Sequence, residues 1–241
     1  MNPFKFGSPV QDDFFFKNAT FNSFFKNFVD NKIHTVLIGP RRYGKTSFIL
    51  NLLNEYRMNS KKEILYIDLF NITSHRDFYL QLILTLKKER SILDNLKHWL
   101  KKIPEILKPI LSLSLNQNGD FELNLSPENK MNFDIKEMIL VLLEEILVNS
   151  KDLIFVLDEF QALANLDDDN WLEASLRQKM QIHKNVVFVF TGSRKSIIHE
   201  MFNHSSRPFY RSCQIIDFPK PDIQFSYWIQ EKFKKHFIIC N

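Results

Sequence analysis

Apolar and polar positions along this chain follow two rhythms. Continuous apolar runs at Leu153-Ile154-Phe155-Val156-Leu157 and Val186-Val187-Phe188-Val189-Phe190 have no polar face. That is the mark of strands covered on both sides in a parallel sheet. Shorter runs at 34–39 and 63–69, and a weaker one at 213–218, predict three more strands. Between them apolar residues recur at three- and four-residue spacing, as Phe78, Leu82 and Leu86 do within 74–90, where Ser74 is placed to cap a helix. Similar spacing predicts helices over 21–31, 45–59, 133–149, 170–183, 194–203 and 221–239. Strands alternating with helices predict an α/β architecture, a doubly wound parallel sheet.

One stretch breaks the rhythm. After a helical pattern at 93–107, the residues Leu111-Ser112-Leu113-Ser114-Leu115 alternate strictly, as do Phe121-Glu122-Leu123-Asn124-Leu125, with the turn signal Asn118-Gly119 between them. A helix and a β-hairpin are therefore expected as an insertion over about 94–130.

Composition narrows the class. The chain has 241 residues, 44% apolar and 25% charged, which suits one large globular domain. The net charge of +4 is too small to argue for nucleic acid by itself. Two cysteines, Cys213 and Cys240, make no disulfide framework and no metal-ligand spacing. No signal-like N-terminus and no stretch of 18 apolar residues occurs, so no membrane association and a cytoplasmic setting are expected.

Chemistry concentrates at strand ends. Gly39-Pro40-Arg41-Arg42-Tyr43-Gly44-Lys45-Thr46 fits G-x-x-x-x-G-K-[ST] between a strand and a helix, the context of a phosphate-binding loop. Backbone N–H groups and the helix start would hold phosphates, Lys45 would reach the β- and γ-phosphates, and the Thr46 hydroxyl would ligate Mg2+. The run 153–157 ends in Asp158-Glu159, suited to hold Mg2+ and to polarise a water. The run 186–191 leads into Gly192-Ser193, where Ser193, or Thr191 behind it, is placed to orient that water. Arg41, Arg42, Arg194, Lys195, Arg207 and Arg211 are candidates for charge stabilisation, in their own site or a neighbour's. Other patterns mislead. His199 and His204 are five apart and do not share the helix face a zinc site needs. Asp167-Asp168-Asp169 lacks the alternation of a calcium loop. The basic stretch 97–102 with Trp99 reads as a helix face before it reads as a nucleic-acid contact.

Taken in order, several stretches resemble the archaeal-type ATPases of the STAND/AAA+ branch of P-loop NTPases. They are Asn2-Pro3-Phe4-Lys5-Phe6-Gly7-Ser8-Pro9-Val10, the Gly-Pro-Arg-Arg loop start with Thr46-Ser47, Leu157-Asp158-Glu159-Phe160-Gln161, Phe190-Thr191-Gly192-Ser193 and Pro208-Phe209-Tyr210-Arg211. The resemblance implies an ASCE-type three-layer sandwich with a parallel five-stranded sheet in the order 5-1-4-3-2. It implies ATP and Mg2+ as ligands, with residues 39–47 around the phosphates, Thr46 and Asp158 on the metal, and Glu159 as the base. Ser193 takes a sensor position and Arg211 a finger-like one, which leaves room for an oligomer. Phe6, Val10 and Phe16 would help hold adenine. Where the family usually carries Asn-Arg-Glu after the Phe run, this chain has Lys17-Asn18-Ala19. Residues 1–220 are read as the ATPase domain and 221–241 as the start of a helical lid cut short. The implied function is Mg-dependent ATP hydrolysis driving conformational change on an unknown protein partner. A nucleotide-gated signalling module with slow turnover and a DNA-associated ATPase are the alternatives.

Overall fold

The apolar runs form the strands they predict. In the computed structural model, which describes residues 4–5, 7–89, 91–92, 111–115, 121–125, 134–166 and 170–237, the order is α1 (Ala19–Asp30), β1 (Thr35–Ile38), α2 (Lys45–Asn59), β2 (Glu63–Asp68), α3 (His75–Lys88), β3 (Leu111–Leu115), β4 (Phe121–Leu125), α4 (Ile135–Asn149), β5 (Leu153–Asp158), α5 (Trp171–Ile182), β6 (Val186–Gly192), α6 (Lys195–Asn203), β7 (Gln214–Asp217) and α7 (Ile223–Phe237). Five strands pair in parallel in the order β2-β5-β6-β1-β7. Counted along the chain this is 5-1-4-3-2, the expected P-loop NTPase order. β3 and β4 form the separate antiparallel hairpin, with Leu113 opposite Leu123. The helix read at 93–107 and the turn at 118–119 lie outside the described residues.

Local chemistry sets the helix starts. Ser74 accepts from the Asp77 N–H at 3.1 Å and caps α3, as its position predicts. Asn18 accepts from the Phe21 N–H at 2.9 Å, so α1 begins at Ala19, two residues before the apolar spacing suggests.

The sheet is buried on both faces because successive residues of its central strands serve different cores. Leu153, Phe155 and Leu157 of β5 face a layer built from α3, α4, α5 and α6, with Phe78, Leu143, Leu176 and Phe202. Ile154 and Val156 face α1 and α2, with Phe25, Phe48, Ile49 and Leu53. Each such fully buried apolar side chain stabilises the fold by roughly 1.5–3 kcal/mol. This three-layer stack fixes the strand tips, and their carboxyl edge carries the residues that matter next. No described helix is long and apolar enough to cross a membrane.

Candidate active site

β1, β5 and β6 are neighbours in the sheet, so the loops at their carboxyl ends meet at one place, the usual ligand position in open parallel sheets. From β1 the chain turns through 39–44 into α2. Gly44, at φ +96°, is the left-handed residue that starts α2, a conformation that strains any side chain bearing a Cβ. Lys45 is buried, and its ammonium donates to the carbonyls of Gly39 at 2.8 Å and Pro40 at 3.1 Å. Burial pushes its pKa down. The Glu159 and Asp158 carboxylates oppose that shift, and the charge of Arg41 adds to it.

Asp158 is the node of the site and is 1% exposed. Its Oδ2 accepts from the Thr46 hydroxyl at 2.8 Å and from the Tyr66 hydroxyl at 2.8 Å. Its Oδ1 accepts from the Thr191 hydroxyl and from the Glu159 N–H. Burial and the Asp158 charge push the Tyr66 phenol well above its ordinary range, which keeps it a donor. Asp68, paired with Asp158 across the strand tips, is pushed up by burial and by the Asp158 and Glu159 charges, against a bond from the Phe70 N–H.

Glu159 follows with a left-handed φ of +54°, which turns the chain sharply into a short 3-10 segment, Phe160–Asn165. Its Oε2 accepts from the Ser193 hydroxyl at 2.9 Å and from the Gln161 amide. The Gln161 amide also reaches the Ser193 oxygen at 3.4 Å. A Cβ on Gly192 would stand 2.5 Å from the Gln161 Oε1 and 2.8 Å from Ile198, so only glycine lets β6 pass this close.

Beside the loop lies a second environment, a cavity of about 460 Å3 lined mainly by rings, including Phe4, Phe16, Phe48, Phe218, Phe225 and Trp228. Arg42, Tyr43, Gly44 and Ser47 line its loop side. Val10 lines it as well and is fixed by its backbone. Its N–H donates to the Ser47 hydroxyl at 3.0 Å, and its carbonyl accepts from the Asn51 amide at 3.0 Å. Phe6 lies outside the described residues.

Residues 39–47, Asp158, Glu159 and Ser193 are thus gathered together. Arg211 is not among them. β7 runs parallel to β1 with Gln214 opposite Thr35, so Arg211, three residues earlier, stands at the amino edge of the sheet, away from its own phosphate loop. It stacks on Tyr210, 5.1 Å from the ring centre. Arg207 is committed to a pair with the buried Glu173.

A family model described as AAA domain matches residues 29–201, a span holding the phosphate loop, Asp158-Glu159 and Ser193. The chain belongs to the AAA domain family. Solved structures share the fold of this AAA domain. The Walker-type ATPase PABY2304 of Pyrococcus abyssi aligns with a TM-score of 0.61 at 19% identity, covering 97% of this chain and 62% of that one. Cdc6p from Pyrobaculum aerophilum aligns at 0.52 and 15%, covering 89% and 47%. The Aeropyrum pernix ORC2 protein in its ADP form aligns at 0.50 and 11%, covering 90% and 50%. The chain therefore spans about half to three-fifths of the length of these structures. No curated protein matches it.

Tyr66, Asp68 and Gln161 are site residues to which the sequence reading gave no role. Asp68 had a weak signal, an acid at the end of an apolar strand. Tyr66 and Gln161 had none: the Tyr66 bond depends on β2 lying beside β5, and the Gln161 bond on the left-handed turn at Glu159.

Proposed function

We propose that this AAA domain binds ATP with Mg2+ and hydrolyses it, and that the resulting change in conformation acts on a protein partner. The observation that carries the reading is the continuous hydrogen-bonded chain from Thr46 through Asp158 to Glu159 and Ser193 at the mouth of the phosphate loop.

The residues present fit Mg2+. Thr46 and Asp158 offer hard oxygens 2.8 Å apart. Neighbouring ligands of an octahedral ion at 2.0–2.1 Å stand about 2.9 Å apart, so the ion can replace their hydrogen bond with little movement. Mg2+ would supply neutralisation of the charge developing on the β- and γ-phosphate oxygens. Lys45 leaves the Gly39 and Pro40 carbonyls for the phosphates, and the backbone N–H groups of the loop and the α2 start hold the remaining oxygens. Glu159 takes a proton from the attacking water, and Ser193 orients that water. The aromatic cavity receives the base, with Val10 as its floor. Gly-Pro-Arg-Arg and Asp158-Glu159-Phe160-Gln161 also support the narrower placement in the archaeal-type STAND branch.

Glu159 has one carboxylate oxygen held by two donors, which favours a second reading, a slow switch whose ATP state binds a partner and whose hydrolysis resets it. A low basal rate with partner retention only in the ATP state separates it from the first. DNA association keeps thin support in the net charge of +4, and absence of salt-dependent DNA binding would remove it.

The test is a thermal shift with Mg·ATP, Mg·ADP and Mg·GTP on the wild type and Lys45→Ala. Ligand at a hundred times its dissociation constant adds about 2.7 kcal/mol, a shift of several degrees. The expected result is a shift with adenine nucleotides that Lys45→Ala loses. No shift with any nucleotide would overturn the reading.

A further inference from the structure

We propose that Arg41 is a catalytic residue that supplies, from within the same chain, the positive charge needed by the phosphoryl group in flight. The proposal rests on the ATPase reading above and deepens it.

The loop has two arginines, and the fold sends them to different places. Arg42 and Tyr43 face the aromatic cavity. Arg41 turns the other way, into a separate cleft of about 280 Å3 lined also by Phe70, Glu159, Gln161 and Arg194. No residue lines both spaces. The Arg41 Nε donates to the Ser193 hydroxyl oxygen at 3.5 Å, and Ser193 in turn donates to Glu159 at 2.9 Å. The guanidinium is therefore two hydrogen bonds from the base.

A further observation points the same way. Phe70 is 60% exposed, a large ring kept at the surface, and the Arg41 guanidinium lies 5.8 Å from its centre. A ring under a guanidinium holds its plane and direction while leaving its N–H groups free to bond.

The alternatives are placed less well. Arg207 is paired with Glu173, and Arg211 is at the amino edge of the sheet. Arg194 lines the same cleft, so it is the reserve cation there. In the step itself the water oxygen forms a bond to the γ-phosphorus as the bond from that phosphorus to its bridging oxygen breaks. The bridging oxygen leaves with the electron pair on ADP, and the water proton goes to Glu159. Arg41 meets the charge spread over the γ-oxygens, a contribution that reaches about 10³–10⁵-fold where an arginine supplies it fully.

The experiment measures kcat, KM and the ATP dissociation constant for the wild type, Arg41→Ala, Arg41→Lys and Glu159→Gln across a range of chain concentrations. Expected for Arg41→Ala is a fall in kcat of at least about a hundredfold, with the ATP dissociation constant within about threefold and part of the rate restored by millimolar guanidinium. Arg41→Lys, which keeps the charge but loses the planar fork, is expected in between and covers the case of a misfolded alanine variant. The wild-type rate per chain should not rise with chain concentration. An unchanged kcat in Arg41→Ala, beside a dead Glu159→Gln, would overturn the proposal and leave the ATPase reading intact. A rate per chain that climbs with concentration and falls in Arg211→Ala would overturn it in favour of a finger from a neighbour. A wild type with neither turnover nor nucleotide-induced stabilisation would overturn both.

Discussion

The two ends of the candidate nucleotide site are built on opposite principles. At the phosphate end, Lys45, Asp158 and Thr191 are buried polar groups, Lys45 bonded to the Gly39 and Pro40 carbonyls and Thr191 to Asp158, at the carboxyl ends of β1, β5 and β6. In that low-polarity setting geometry is demanding, because a buried group left unpaired costs about 1–3 kcal/mol. The base end is a cluster of rings drawn from both ends of the described chain. Phe16 packs on Phe225 at 5.4 Å and on Trp228 at 5.9 Å, and Phe4 packs on Trp228 at 6.3 Å. Apolar contact is tolerant of exact placement. The phosphate end can therefore be rigid and shared by a whole family, while the base end can be assembled from segments outside the span that the family model matches.

The sharpest break of the comparison is Glu159→Gln. Glutamine keeps the shape and can still bond Ser193, but it cannot take a proton at neutral pH. Turnover should fall by about 10²–10⁴-fold, the usual worth of a positioned general base, while nucleotide-induced stabilisation persists. Single-turnover rates with ATP, read beside thermal shifts, check it. Wild-type turnover in this variant would remove Glu159 from the chemistry and leave the phosphate end a binding site only.

The same division governs what the sequence discloses. Gly44, Lys45 and Thr46 were legible because the loop is local: a left-handed glycine, an amine and a hydroxyl at fixed offsets. Asp158 was legible because a carboxylate that ends an unbroken apolar strand stands out in the sequence, and it remains buried at the strand tip. Tyr66 was not, since its bond to Asp158 exists only because β2 lies beside β5, and strand order is not written in any short window. Gln161 was hidden for another reason. The left-handed turn at Glu159 folds the following segment back on the carboxylate, and periodicity does not report it. Arg211 was legible as an arginine before a strand, but its distance from the loop follows from the direction of β7. The pattern of 221–239 predicts α7 well, yet says nothing of the cavity that Phe225 and Trp228 close.

A middle-sized effect sharpens the comparison from the other side. Trp228→Ala removes a ring from the base cavity and touches none of the phosphate network. Stacking a base on an aromatic side chain is worth about 1–3 kcal/mol, so the ATP dissociation constant should rise by about five- to 150-fold. Binding of inorganic tripolyphosphate, which has no base, should stay within twofold, giving the two ends separate readouts in a titration followed by melting temperature. Equal losses for both ligands would mean that α7 braces the whole site and that the two ends are not independent.

The smallest effect concerns what fastens the base end to the rest. Glu55 on α2 accepts from Lys17 at 2.5 Å, Lys26 at 2.7 Å and the Asn22 amide at 3.2 Å, tying the segment before α1 and α1 itself to the helix behind the phosphate loop. Burial alone would raise its pKa, but the bonds from Lys17, Lys26 and Asn22 outweigh that and pull it down to about 2. A carboxylate depressed on folding stabilises the fold above its ordinary pKa. That stability is lost as the pH falls from the ordinary carboxylate range towards 2. The lysines are 50% and 31% exposed, which keeps each pair within about 0.2–1 kcal/mol. Glu55→Gln should therefore melt slightly lower than the wild type at pH 7, by about a degree or two for a domain of this size, and the difference should close as the pH approaches 2. A gap that stays constant over that range would show that Glu55 acts through packing rather than charge, and the segment carrying Val10 and Phe16 would then owe its place to its rings.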